Sequence, residues 1–313
     1  MSKDDTRIPS ARRSSMSAHP HSLTLNNGVQ LPALGLGVYQ SSPDDTVGAV
    51  ATSLRNGYRM IDTAAAYGNE REVGEGIVRS GIDRDALFVT TKLWISDYGY
   101  DQTLRAFDVS LRKLALDHLD MYLLHWPVPM DFEGTLASWR AAERLLSEGR
   151  VRAIGVCNFS PAHLEQLRAH ADIVPAVNQI ELHPYFSQQP LRDYHAQHGI
   201  VTQAWSPLGG VNVYAAPADE DARNILTHPT VVALAIQHRR TPAQIVLRWH
   251  LEHGTSVIPK SVNPERIIEN SAIFDFKLGA DVVARIDAIH DGRRGGPDPE
   301  LVSTQLFAAT IPD

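Results

Sequence analysis

The sequence of 313 residues predicts one closed (β/α)8 barrel with an N-terminal β-hairpin at its bottom. Three observations carry that reading. Eight short apolar runs alternate with helical stretches, which points to a parallel sheet with helices outside it. A hairpin signal precedes the first run. A doubly wound dinucleotide fold, the competing architecture, would need a Gly-rich turn after its first strand, and no such turn is found.

Taken in order, residues 1–21 are polar and lack the apolar core of a secretory signal, so they are expected to be a disordered tail. Residues 22–313 form the single barrel domain, with a C-terminal loop. Residues 23–31 alternate apolar and polar around Asn27-Gly28, a pair that tolerates the positive φ of a tight turn. Strands are predicted at 34–37, 59–62, 87–92, 120–125, 151–158, 176–181, 201–205 and 256–259. Apolar spacing of three and four predicts helices at 45–56, 103–114, 135–147, 161–170 and 242–253. Ser160-Pro161 and Thr241-Pro242 each place a hydroxyl before a first-turn proline, the pattern of a capped helix start. Gly35-Leu36-Gly37 lacks the third glycine of a phosphate loop, and Gly74-Glu75-Gly76 lies inside a helical pattern. Two stretches, 207–227 and 292–313, are long enough to lie over a site as lids.

Hydrophobic residues at 43% and charged residues at 21% allow a sizeable core. A formal net charge of -7 argues against a nucleic-acid partner, which needs a basic face. Cys157, the single cysteine, allows no internal disulfide and fits a cytoplasmic location. No apolar run reaches the 18 or so residues of a membrane span.

Functional groups of such barrels gather at the C-terminal ends of the strands. Asp62, Lys92 and His125 close the second, third and fourth strands, and Tyr67 follows Asp62 by five residues. A free tyrosine has a pKa of about 10 and is a poor acid at neutral pH. A buried ammonium nearby favours the phenolate, and a carboxylate holds that ammonium in place. The set suits proton delivery to a carbonyl oxygen as hydride reaches the carbon, with a neutral His125 ring orienting the oxygen. A lone strand-end Asp, Lys or His is usually structural; four in one register are a coincidence harder to dismiss. Lys92 is one of only five lysines, which sharpens the signal.

A second cluster follows the last strand. Asn263 reads as an N-cap with Pro264 at the first helical position. Lys260, Ser261, that helix start and Arg266 together make an anion site, against the plainer reading of a solvated basic helix start. The pairs His250/His253 and His195/His198 have spacing that can bind metal but no third ligand in a recognisable arrangement, so no metal is expected.

From about Leu23 to beyond the last helix the chain resembles the aldo-keto reductases. The residues that carry the resemblance are Gly57-Tyr58-Arg59-Met60-Ile61-Asp62-Thr63-Ala64 with Tyr67-Gly68-Asn69-Glu70, then Thr91-Lys92-Leu93-Trp94 and Asp120-Met121-Tyr122-Leu123-Leu124-His125-Trp126-Pro127. Gly155-Val156-Cys157-Asn158-Phe159, Asn178-Gln179-Ile180-Glu181-Leu182-His183-Pro184 and Ile258-Pro259-Lys260-Ser261 follow in order. Ala204-Trp205-Ser206-Pro207-Leu208-Gly209 and Phe274-Asp275-Phe276 are most similar to the bacterial 2,5-diketo-D-gluconic acid reductases.

The resemblance implies NADPH-dependent carbonyl reduction by a tetrad of Asp62, Tyr67, Lys92 and His125, in a monomer. It implies that Asn158 and Gln179 hold the nicotinamide carboxamide and that Trp205 stacks on the nicotinamide face. Ser206, Leu208, Lys260, Ser261 and Arg266 would line the phosphates, with Glu269 and Asn270 near the adenine. Lys260 and Arg266 favour NADPH over NADH, because only NADPH carries the 2′-phosphate. Trp94 and Trp126, with His125, would wall the carbonyl substrate. Three positions depart from the common pattern: Trp205 replaces a usual tyrosine, Cys157 a serine beside Asn158, and Val38 a threonine.

Two other classes compete. A non-catalytic, NADPH-binding regulatory barrel gives no reason to keep the four groups together. A Schiff-base aldolase using Lys92 needs no phosphate cluster, so Lys260, Ser261 and Arg266 speak against it.

Overall fold

The structure, a computed structural model, describes residues 21–209 and 224–312. The predicted tail lies almost wholly outside them, as does most of the 207–227 loop. Strands β1 (Ser22–Thr24) and β2 (Gln30–Pro32) pair antiparallel, Leu23 opposite Leu31, around a turn in which Gly28 takes φ 84°. Asn26 donates to the carbonyls of Val174 and Pro175, and Asn27 to that of Arg152, at the N-terminal ends of two barrel strands. The hairpin therefore caps the bottom, and Leu31 is buried with Met60, Phe88 and Met121 in the barrel interior.

Eight parallel strands follow: β3 (Leu36–Gly37), β4 (Met60–Asp62), β5 (Phe88–Leu93), β6 (Leu119–Leu124), β7 (Val151–Cys157), β8 (Val177–Glu181), β9 (Val201–Trp205) and β10 (Ser256–Val257). The sheet closes through parallel bridges between Leu34 and Val257 and between Gly37 and Lys260. The Gly35 N–H donates to Val257 and the Val257 N–H to Ala33, both at 2.9 Å. The first and last strands are shorter than the predicted 34–37 and 256–259. Pro259 brings no N–H to extend the ladder there.

Helices α1 (Pro43–Arg55), α2 (Glu70–Ser80), α3 (Tyr100–Leu114), α4 (Phe132–Ser147), α5 (Pro161–Arg168) and α6 (Gln189–His198) alternate with the strands. Then come α7 (Pro229–His238), α8 (Pro242–Glu252), α9 (Pro264–Ser271) and α10 (Ala280–Asp287). Ser160 and Thr241 close reciprocal capping boxes with His163 and Gln244, and Asn263 accepts from the Arg266 N–H. Each such cap contributes about 0.5–2 kcal/mol. Gly74 and Gly76 lie in α2 as helix contacts: a Cβ on Gly74 would sit 2.4 Å from the Leu114 carbonyl oxygen, and one on Gly76 would sit 2.6 Å from Val50. The main apolar core fills the layer between strands and helices. No described helix is long and apolar enough to cross a membrane.

Candidate active site

The barrel register brings the four predicted residues together at the C-terminal rim. Asp62 ends β4, Lys92 is the penultimate residue of β5, His125 directly follows β6, and Tyr67 ends a short 3-10 turn over residues Ala65–Tyr67. Lys92 is fully buried and its ammonium donates to Asp62 Oδ1, to the Thr63 carbonyl at 2.9 Å and to Tyr67 Oη at 3.3 Å. All three ammonium hydrogens thus have an acceptor. The Tyr67 and His125 rings meet edge-on, 5.7 Å between centroids.

Burial pushes the Lys92 ammonium pKa down, but Asp62, Tyr67 and Cys157 oppose it and the net direction is up, so the cation is held. The Asp62 carboxyl is pushed up by burial and pulled back by Lys92 and Gln179. For Tyr67 the expectation of a phenol made acidic needs correction. Lys92 does pull its pKa down, but burial pushes it up by more and Asp62 adds to that, so the phenol keeps its proton. The His125 pKa lies well below the ordinary imidazole value, through burial and then the Lys92 charge, so the ring is neutral. Among the described residues its Nδ1 is buried without a hydrogen-bond partner.

Gln179 joins this centre directly: its Nε2 donates to Asp62 Oδ2 and to Gln203 Oε1, both at 2.7 Å. Gln203, which sequence reasoning missed, continues the polar line to Ser256 at 3.1 Å. It reads from sequence as one more polar residue within an apolar strand, and only barrel closure turns it inward. Asn158 accepts from the Trp205 indole N–H at 2.8 Å and donates to the His125 carbonyl at 3.1 Å. Asn158 (φ 65°) and Ser206 (φ 47°) both hold the left-handed backbone region, strain of the kind that functional sites store. Val38 engages through its backbone, its carbonyl accepting from Asn69 at 2.9 Å.

Lys260 and Ser261 follow β10 at the rim, and Arg266 lies in the first turn of α9. Among the described residues neither Lys260 nor Arg266 has an ion-pair partner, which leaves two cations beside a helix start. Leu208 packs at the edge of the main core. Glu269 accepts from Thr241 at 2.8 Å, and Asn270 is buried. The Glu269 carbonyl also accepts from Gln244 of α8 at 3.0 Å. The histidine pairs bond elsewhere: His195 contacts Asn178 and Thr202, His250 the Pro207 carbonyl and His253 the Asp287 carboxylate.

On the other side of the rim, Trp94 lies edge-on to His125 at 5.1 Å and Trp126 stacks at 6.4 Å. The C-terminal segment crosses over them. Phe307 stacks on Trp126 at 6.0 Å, and the Trp94 indole donates to the Ala309 carbonyl at 3.0 Å. Phe307, which only the expectation of a covering loop foreshadowed, thus joins Trp94 and Trp126 in one aromatic cluster.

Residues 33–291 match the model of the Aldo/keto reductase family. The chain is 52% identical over 290 residues to morphine 6-dehydrogenase of Pseudomonas putida, covering 92% of this chain and 98% of that protein. It is 45% identical over 277 residues to glyoxal reductase of Bacillus subtilis, covering 88% and 95%. A variant of Gox0644 solved in complex with NADPH superposes with a TM-score of 0.82 at 42% identity, covering 90% of this chain and 98% of that one. Fold, rim geometry and these likenesses agree: the chain belongs to the aldo/keto reductase family.

Proposed function

We propose that this chain reduces aldehydes and ketones with NADPH, and that Tyr67 donates the proton to the carbonyl oxygen. One observation carries the reading: Lys92 bridges Asp62 and Tyr67 Oη while a neutral His125 ring stands 5.7 Å from the phenol ring. Because the ammonium donates to Oη, the phenol's own hydrogen is free to point at a substrate oxygen. Loss of that proton leaves a phenolate beside a fixed cation, in a site dry enough for the attraction to be strong. His125, neutral, can donate a hydrogen bond to the same oxygen and orient it.

The residues present fit NADPH. Strained Asn158 and Ser206, the inward amide of Gln179 and the indole of Trp205 surround the place for a nicotinamide. Lys260, Ser261 and Arg266 at the α9 start suit phosphates, the 2′-phosphate included. When bound, NADPH supplies the hydride to the carbonyl carbon. The Gox0644 variant that binds NADPH supports this assignment by likeness. The same reading takes a small carbonyl compound as partner, a monomer as the working unit and the cytoplasm as its place.

NADPH and NADH consumption should be followed side by side with methylglyoxal and 2,5-diketogluconate. Removing a general acid typically costs about 10²–10⁴ in rate. Tyr67→Phe should therefore lose that factor in kcat while folding normally. Equal rates in wild type and variant would remove Tyr67 as the donor.

A further inference from the structure

We propose that Glu181 is a positioning residue, whose buried carboxylate latches the C-terminal segment at Gly295-Gly296 onto Trp205 so that segment and indole are held as one unit. The proposal rests on the reading above, in which Trp205 faces the nicotinamide, Asn158 its carboxamide and His125 the carbonyl.

Glu181 ends β8 and is 1% exposed. Its Oε1 accepts from the Gly295 N–H at 2.6 Å and its Oε2 from the Gly296 N–H at 2.9 Å. Two successive backbone amides on one carboxylate form a small anion nest. Such charge-assisted bonds are roughly twice as strong as neutral ones. His183 Nε2 lies 3.0 Å from Oε1. The Arg294 guanidinium is 4.0 Å from Oε2 and rests over the Phe186 ring at 4.7 Å. Burial pushes the Glu181 carboxyl up, but His183 and the two amides outweigh it and the group stays ionised more readily than usual.

Gly296 is what makes the latch reach the site. A Cβ there would lie 2.4 Å from Trp205 Cη2 and 3.1 Å from Glu181 Oε2, so its backbone sits directly against both. The indole then donates to Asn158, and Asn158 to the His125 carbonyl. One carboxylate thus fixes, in sequence, the segment, the stacking ring, the carboxamide-binding side chain and the backbone of the carbonyl-orienting histidine. Downstream, the same segment continues to Phe307 and Ala309 over Trp126 and Trp94. Release of Glu181 therefore loosens the covering of both the cofactor and the substrate side.

The test uses the full-length chain and two variants, Glu181→Gln and Gly296→Ala. The second leaves the carboxylate intact and displaces the backbone from Trp205. Trypsin cleavage after Arg293 and Arg294, followed by mass spectrometry without nucleotide, reads the latch. Fluorescence titration with NADPH reads its consequence, and thermal melting reads global stability. We expect cleavage at those two arginines to quicken relative to cleavage after Arg240 in both variants. The NADPH dissociation constant should rise about tenfold, with the melting midpoint little changed. A merely structural role would lower the midpoint and hasten all cleavages alike, and that result overturns the proposal. So does unchanged site-selective cleavage in both variants. Should Glu181→Gln fail to fold, Gly296→Ala alone decides. If wild type fails to bind NADPH the cofactor reading falls, while the cleavage pattern still settles the latch.

Discussion

Replacing Lys92 with methionine removes the cation at the centre of the rim and nearly preserves its volume. The carboxylate of Asp62, 1% exposed, would then keep only Gln179 as a side-chain donor. Breaking a buried ion pair by deleting one partner costs about 3–5 kcal/mol, mostly from the charge left behind. At about 2 °C per kcal/mol for a chain of this size, the melting midpoint should fall by roughly 6–10 °C. The loss must depend on pH. Burial already pushes Asp62 above the ordinary carboxylate value, and removing Lys92 removes the strongest influence opposing it. A carboxyl whose folded pKa is raised binds more protons folded than unfolded. Its stabilising effect is therefore complete below about pH 4 and is lost as pH rises through the folded value. The variant should consequently be closest to wild type in mild acid and furthest from it at neutral pH. Neutralising both partners, as Asp62→Asn with Lys92→Met, should recover most of the loss. The assay is urea and thermal unfolding of wild type, both singles and the double at pH 5 and 7. A loss below about 1 kcal/mol for Lys92→Met, or a double variant no better than the single, would refute the argument.

Two further outcomes follow from packing and burial. Gly74→Ala drives a Cβ into the Leu114 carbonyl between α2 and α3, so stability should fall by about 1–3 kcal/mol with kcat unchanged in activity assays on the folded fraction; an unchanged unfolding midpoint would contradict this. His195 and His250 are buried with pKa values lowered to about 3 by burial, so each stays neutral in the fold. Unfolded, they take up protons below about pH 6.5, so their contribution is complete above that value and lost as pH falls toward 3. By pH 5 each should cost about 2 kcal/mol, and a flat unfolding free energy between pH 7 and pH 5 would refute this.

The convergence of Asp62, Tyr67, Lys92 and His125 could be read without coordinates because barrel geometry ties a position in the chain to a position in space. A polar residue ending an apolar run lands at the rim, and Asp62, Lys92 and His125 do so in three successive strands. The helix starts were equally legible, since a cap is a local bargain between Ser160 or Thr241 and its own next turn. What depended on burial was not. Tyr67 looked acidified by its lysine neighbour, and only the depth of its setting reverses the sum. Gln203 reads as ordinary strand polarity, and Glu181 meets Gly295 across 114 residues of chain, a pairing no local pattern encodes. Phe307 is anonymous in sequence because nothing local says which loop residue will settle on Trp126.

The barrel is unevenly zipped. Its first and last strands run for two residues each, and Pro259 contributes no amide where they meet, so exchange with solvent deuterium should begin along this line rather than between β5 and β6. The line surfaces beside Lys260. An anion gripped there by Lys260 and the first turn of α9 would splint the two edges of the sheet, so that occupancy of the rim and resistance of the whole cylinder to opening rise together.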